Sequence, residues 1–183
     1  MKGSRDIVFV GGIHGVGKST ICRRLCADLS LEYLSASVLI AGHKAETTTN
    51  NRDNGKLVAN IDENQDVLLK ALSGMTKSGL KCLMDGHFTL FDSKKQIQRI
   101  PSATFAAIMP IVLIVLVDDP ASILDRLSRR DGNRYDLQSL TYMQEQELSY
   151  AKQIGMQLSL DVYEVAASKV DYLEQIVKDT FSQ

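Results

Sequence analysis

With 183 residues, 44% of them apolar, the chain is long enough to bury a core of its own without disulfides or a structural metal. Its 21 Lys and Arg against 22 Asp and Glu leave a net charge of −1, which excludes a general basic field for nucleic acid and leaves room only for a local basic groove. Three cysteines, an odd number, give no disulfide framework, and with no secretory-type leader ahead of the first strand the sequence reads as cytoplasmic.

The first predicted strand is Asp6–Gly11, and it runs into Gly12-Ile13-His14-Gly15-Val16-Gly17-Lys18-Ser19-Thr20, which fits GxxxxGK[ST] without a mismatch. A polyphosphate needs many donors converging on it with no bulky side chain in the way, and glycines allow successive backbone N–H groups to turn inward at the start of a helix. Gly12, His14, Gly15, Val16, Gly17, Lys18, Ser19 and Thr20 are therefore the expected nucleoside triphosphate cradle. Lys18 supplies a mobile charge for the β- and γ-phosphates, Ser19 a hydroxyl for Mg²⁺, and Thr20 a contact to a more distal phosphate oxygen.

A helix from Lys18 to about Ser30 follows, with Ile21, Leu25 and Leu29 on one face, and then a short strand over Leu31–Ala36. Cys22 and Cys26 lie four apart on that helix, but no His or Cys nearby completes a tetrahedral set, so they and Cys82 read as core thiols. Val38 to Asn60 is polar and reads as a loop excursion, ahead of a helix from about Asp62 to Ser78. Cys82-Leu83-Met84 forms a third strand that delivers Asp85 to its carboxyl end, where ligands sit in open α/β sheets. Asp85 is the candidate to orient Mg²⁺ or to accept from Ser19, the Walker B role, and His87 falls on the same side of an extended chain.

After a second polar excursion, Phe91 to Ser102, the longest apolar run, Ile108 to Val117, is broken by Pro110 and far too short to cross a bilayer. It reads as a buried central strand over Ile111–Val117, followed by a helix from Pro120 to about Arg130. Arg126, Arg129, Arg130 and Arg134 cluster around Gly132. Arg130 and Arg134 flank that glycine as candidates to close over the phosphates, while Arg126 or Arg129 complements the helix dipole. A long polar helix through Gln153, a strand over Asp161–Ala166 and a helix over Val170–Phe181 complete the chain. The alternation predicts a three-layer α/β sandwich with a five-stranded, mostly parallel sheet in one domain spanning 1–183.

The loop Gly12–Thr20, Asn51-Arg52-Asp53 followed by Glu63-Asn64-Gln65, the Asp85-Gly86-His87 triplet, the strand and turn Leu113–Pro120, and the basic stretch Arg130–Asp136 together resemble a P-loop kinase of the adenylate-kinase type. The similarity is greatest to the archaeal adenylate kinases and to the nuclear adenylate kinase also known as a ribosome-assembly ATPase. It implies a nucleoside monophosphate kinase architecture using ATP and Mg²⁺, with residues 37–66 as the acceptor region, Arg52 as a clamp on the acceptor phosphate, and 129–138 as a short lid. The basic loop is one residue shorter than the archaeal pattern, and the excursion is rich in Thr and Asn, which leaves the acceptor base open.

Two other classes use the same residues. An ATP-hydrolysing assembly factor or switch would activate water at Asp85 and His87, with a protein or RNA partner in place of the small acceptor. A nucleotide-binding interaction subunit would need eroded catalytic positions, and Lys18, Ser19 and Asp85 are intact. No Asn-Lys-x-Asp element follows a late strand, which argues against a GTPase.

Overall fold

The computed structural model describes residues 5–48, 61–74, 79–92, 96–131 and 135–182. Five strands form the main sheet: β1 (Arg5–Gly11), β2 (Glu32–Ser35), β3 (Leu80–Asp85), β6 (Pro110–Val117) and β7 (Val162–Ala166). Their order is β2-β3-β1-β6-β7 and every pairing is parallel, which is the expected architecture. A parallel sheet needs both faces covered, and β1 shows why its sequence is an unbroken apolar run. Val8 and Val10 enter one core with Cys22 and Leu25 of α1 (Lys18–Leu29), Ile123 and Leu127 of α5 (Pro120–Asp131), and Leu173 and Val177 of α7 (Val170–Ser182). Ile7 and Phe9 enter the opposite core with Leu68 and Leu72 of α3 (Ile61–Ser73) and Phe105 and Ile108 of α4 (Ser102–Ile108).

One helix serves both cores. The long α6 (Leu137–Leu158) gives Leu140 and Met143 to the first, and Tyr150, Ala151 and Ile154 to the second. It starts from an N-cap at Asp136, whose carboxylate accepts from the Ser139 N–H at 2.8 Å. The centre of the second core is an aromatic trio. Phe9 meets Phe88 edge-on at 5.1 Å and Phe105 at 5.4 Å, and Phe88 stacks on Phe105 at 5.1 Å. All three cysteines are buried, and burial pushes the Cys26 thiol up to about 11.

Three stretches differ from expectation. The excursion from Val38 begins as α2 (Ala36–Thr48), because its first half, Ala36 to Ala41, is made of residues that tolerate helix and pack on α3; the Thr and Asn run that suggested a loop comes later. Residues 49–60 lie outside the described residues. Helix α3 ends at Ser73, ahead of Gly74, rather than at Ser78. The excursion expected over Phe91 to Ser102 holds a strand, β5 (Ile97–Arg99), which pairs antiparallel with β4 (Thr89–Phe91), and α4 follows Pro101; residues 93–95 lie outside the described residues. Their short length and the polar residues between them hid the pattern. Among the described residues, no helix is long and apolar enough to cross a membrane.

Candidate active site

Strand β1 stops at the carboxyl edge of the sheet, and the chain then turns through Gly12 at φ 141° and Gly15 at φ 81°, conformations that L side chains rarely adopt. A Cβ on Gly15 would sit 2.7 Å from Leu127, so the loop lies directly on α5. Gly17, the N-cap of α1, provides no side-chain cap, which leaves the first-turn amides of Lys18, Ser19 and Thr20 for a ligand. Lys18 is buried, and its ammonium donates to the carbonyls of Gly12 at 2.5 Å and Ile13 at 3.2 Å. Burial lowers its pKa, and the charges of Glu147 and Asp85 oppose that shift.

The parallel register sets Asp85 opposite Val10, one residue before the end of β1. Ser19 Oγ donates to Asp85 Oδ2 at 2.7 Å, and the Tyr33 hydroxyl donates to the same oxygen at 2.5 Å. Tyr33 is held from the other side by the Arg23 guanidinium, 4.4 Å from its ring centre. A hydroxyl and a carboxylate that already meet, beside the free amides of a helix, are the hard oxygen donors that Mg²⁺ bound to a triphosphate takes. Two residues on, the His87 ring lies 4.3 Å from that of His14, and its Nδ1 is 4.0 Å from Glu147 Oε1. Burial, and then the charges of Lys18 and His14, hold the His87 pKa well below its ordinary value, so the imidazole is neutral at pH 7.

Among the arginines, Arg129 pairs with Asp125 at 2.8 Å on the exposed face of α5. Arg126 does not behave as a solvated helix-end residue. Its Nε donates to the Gly15 carbonyl at 2.9 Å, and its Nη2 to Asp118 Oδ2 at 2.6 Å, so it grips the loop itself. Arg130, one turn further, lines the same cavity. Arg52 and Arg134 lie outside the described residues.

The loop reading needs two refinements. The Gly12 N–H turns away from any ligand and donates to Glu147 Oε1 at 3.0 Å. Val16 is a core residue, 2% exposed, whose N–H reaches back to the Ile13 carbonyl at 3.4 Å. His14, Gly15, Gly17, Lys18, Ser19 and Thr20 line the cavity.

Sequence reasoning passed over Glu147 and Gln144. Glu147 is fully buried and takes four donors: the N–H groups of Gly12, Phe88 and Thr89, and the Thr89 hydroxyl. Burial pushes its carboxyl up from the usual range; the bonds from Thr89 and Phe88 and the Lys18 charge pull it back. Gln144 clasps the backbone N–H and carbonyl of Asp118, at 3.1 and 2.9 Å. The available signal was a glutamate inside an apolar stripe, since Leu140, Met143, Glu147, Tyr150 and Ile154 share one helical face.

These groups surround a cavity of about 650 Å³. One end is the polar loop, with Asp85, His87, Arg126 and Arg130. The other is walled by Ile40, Leu68, Leu90, Ile100, Phe105 and Ile108, with Ser37, Asn64, Gln65 and Thr104 as its polar groups.

Residues 11–143 match a family described as an AAA domain, a stretch that takes in the loop, Asp85, His87, Arg126 and Arg130. The chain belongs to this AAA-domain family. A similar fold appears in solved structures. A gluconokinase from Sinorhizobium meliloti 1021 is 10% identical, with a TM-score of 0.51 over 97% of this chain and 91% of that one. An uncharacterized protein from Eubacterium ventriosum ATCC 27560 is 13% identical, with a TM-score of 0.53 over 98% and 100%. At such identities the likeness is one of fold. No curated protein matches the sequence. The part of this AAA domain that the family match covers stops at residue 143, short of Glu147.

Proposed function

We propose that this chain transfers the γ-phosphate of ATP to a small acceptor, a nucleoside monophosphate, as an adenylate-kinase-like enzyme. The observation that carries the reading is the two-ended cavity. A triphosphate site at one end opens without a break into a slot with apolar walls and only a few polar groups. A sugar acid presents hydroxyls on every side and needs a polar partner for most of them; a nucleobase offers two apolar faces and a hydrogen-bonding edge, which suits Leu68, Phe105 and Ile108 with Asn64, Gln65 and Thr104.

In this reading the first-turn amides of α1 and Lys18 hold the β- and γ-phosphates, and Arg126 fixes the loop that presents those amides. Ser19 and Asp85 would hold Mg²⁺, which neutralises charge on the phosphate oxygens. An acceptor phosphate oxygen attacks the γ-phosphorus in line, the bond to the bridging oxygen of ADP breaks, and the positive charge of Arg130 offsets the negative charge that spreads in between. Neutral His87, beside His14 and two residues past Asp85, orients the transferring group or the attacking oxygen. The acceptor region falls on α2 and α3, within 37–66 and with Arg52 as its phosphate clamp. The lid is 129–138, with Arg134 joining Arg130 to close over the phosphates.

A panel of nucleoside monophosphates, with gluconate and a polyol as contrasts, tests this in the presence of Mg·ATP. ADP together with one matching diphosphate is the expected product. Preference for the sugar acid would overturn the acceptor assignment, and phosphate release that no acceptor alters would select the ATPase or switch reading.

A further inference from the structure

We propose that Glu147 is a positioning residue: its buried carboxylate holds the triphosphate loop and the Asp85–His87 corner in a fixed mutual register, so that the phosphate carrier and the groups acting on the transferred phosphate stay aligned. The inference rests on the reading of the loop as the donor-nucleotide site.

Three chain segments far apart in sequence meet at this one side chain. Oε1 accepts from the Gly12 N–H at 3.0 Å and from the Phe88 N–H at 2.9 Å. Oε2 accepts from the Thr89 N–H and hydroxyl, both at 2.6 Å. Gly12 is the first residue of the loop, and Phe88 and Thr89 directly follow His87. One carboxylate therefore bridges the carboxyl ends of β1 and β3 beyond the last ladder bond between them, which runs from the Gly86 N–H to the Val10 carbonyl at 3.0 Å. It also sets His87 Nδ1 4.0 Å from Oε1.

Two further facts point to a positional rather than a general packing role. Glu147 lies where α6 passes from one core to the other, between Met143 and Tyr150, and both of its neighbouring polar clasps are made by the same helix: Gln144 to Asp118, and the Tyr150 hydroxyl to the Ile100 carbonyl at 2.6 Å. A buried carboxylate is costly unless its charge is met, and an apolar residue of that size would fill the same space at less cost. What an apolar residue cannot do is bind three N–H groups from two loops at once. Glu147 also stands among the charges that offset the burial of Lys18, so it is coupled to the residue that moves onto the phosphates.

The test is Glu147→Gln in the full chain. The amide keeps the shape but turns one oxygen into NH₂: at the Oε1 site it faces the N–H groups of Gly12 and Phe88, and at the Oε2 site it faces the Thr89 N–H, while the Thr89 hydroxyl can turn to accept. The kcat for transfer falls by on the order of 10²-fold, the loss expected from a misplacement of about 1 Å. The dissociation constant for Mg·ATP, read by calorimetry, changes by less than about threefold, because the α1 amides are untouched and the Asp85 charge still offsets the burial of Lys18. In a double-mutant cycle with His87→Ala the kcat losses do not add, since both act through one corner.

Thr89→Val, which deletes only the hydroxyl donor, lowers kcat several-fold with ATP affinity kept, and it carries the test if the Gln variant does not fold. Wild-type kcat in either variant, additive losses with His87→Ala, or kcat and ATP affinity falling together would overturn the assignment. Amide hydrogen exchange separates this failure from that of the donor-site reading. Faster exchange at Gly12, Phe88 and Thr89 in Glu147→Gln, with the rest of β1 unchanged, upholds the clasp even if the wild-type protein transfers nothing; unchanged exchange at those three amides refutes it.

Discussion

At the donor end of the cavity each group is fixed by a directional polar contact: Lys18 to two carbonyls, Ser19 and Tyr33 to Asp85, Arg126 to Gly15, and Glu147 to Gly12. At the acceptor end the walls are Ile40, Leu68, Ile100, Phe105 and Ile108, which hold shape by packing and bind by area. The contrast follows from the chemistry assigned to each end. Transferring a phosphoryl group requires charges placed to a fraction of an ångström around atoms that are the same for every substrate. Choosing a carrier for that group requires only a slot of the right size with a few polar points, and many sequences provide one.

If this division holds, substitutions at the donor end lower kcat, with or without a loss of ATP binding, and those at the acceptor end change KM for the acceptor alone. The largest effect falls on Lys18→Ala. Transfer drops by on the order of 10²–10³-fold, the usual loss of a donor aimed at the transition state. The melting temperature stays level or rises, because a buried ammonium no longer has to be desolvated. A loss below tenfold in a steady-state assay would break the comparison at its root.

Next come the two arginines that line the cavity from α5. Arg126→Ala frees the Gly15 carbonyl and loosens the loop, so the dissociation constant for Mg·ATP rises and kcat falls, each by roughly 10-fold or more. Arg130→Ala removes charge near the transferred group and lowers kcat by a comparable factor, with ATP affinity kept. Calorimetry beside steady-state kinetics reads both. An Arg130 variant that weakens ATP binding as much as the Arg126 variant would merge their roles.

The donor end was legible from the sequence because its geometry demands particular residue types at fixed spacing: glycines where φ is positive, a lysine and a hydroxyl at the helix start, an acid where a buried strand ends. The sheet was legible for a related reason, since strands covered on both faces, such as Ile7–Val10 and Val112–Leu116, leave unbroken apolar runs. Glu147 and Gln144 were not. Gln144 sits on a helix whose polar residues mostly face water, and Glu147, although it falls inside the apolar stripe from Leu140 to Ile154, belongs to no motif that marks it as a clasp. The helix-end role expected of Arg126 or Arg129 falls to Arg129, which pairs with Asp125 on the exposed face; the grip of Arg126 on Gly15 left no mark in the sequence, since only the fold brings that carbonyl beneath it. The acceptor walls come from α2, α3, β4, α4 and the turn before it, short elements whose apolar residues read as core.

A milder probe acts on the acceptor wall. Ile40→Ser puts a hydroxyl where the slot offers an apolar face and removes about three carbons of contact. The acceptor KM rises by roughly 10-fold, the range for a small change in an apolar pocket. The Mg·ATP dissociation constant stays put.

The smallest expected effect tests whether the two ends are separable at the point where they touch. Gly86 lies between Asp85 and His87, and a Cβ there would stand 2.7 Å from Phe9 Cζ and 2.9 Å from Cε2. Phe9 cannot swing clear, because Phe88 and Phe105 pack against it edge-on. Gly86→Ala therefore costs about 1–3 kcal/mol of stability as overpacking, with a fall in Tm of roughly 2–4 °C for each kcal/mol. The strain runs toward Phe9 and the apolar wall, while the Asp85 carboxylate stays tied to Ser19 and Tyr33 and the following segment to Glu147. The acceptor KM should then rise a few-fold, with ATP affinity unchanged. Equal losses at both ends would mean that the aromatic trio, and not the polar clasp at Glu147, sets the alignment of the loop with the Asp85–His87 corner.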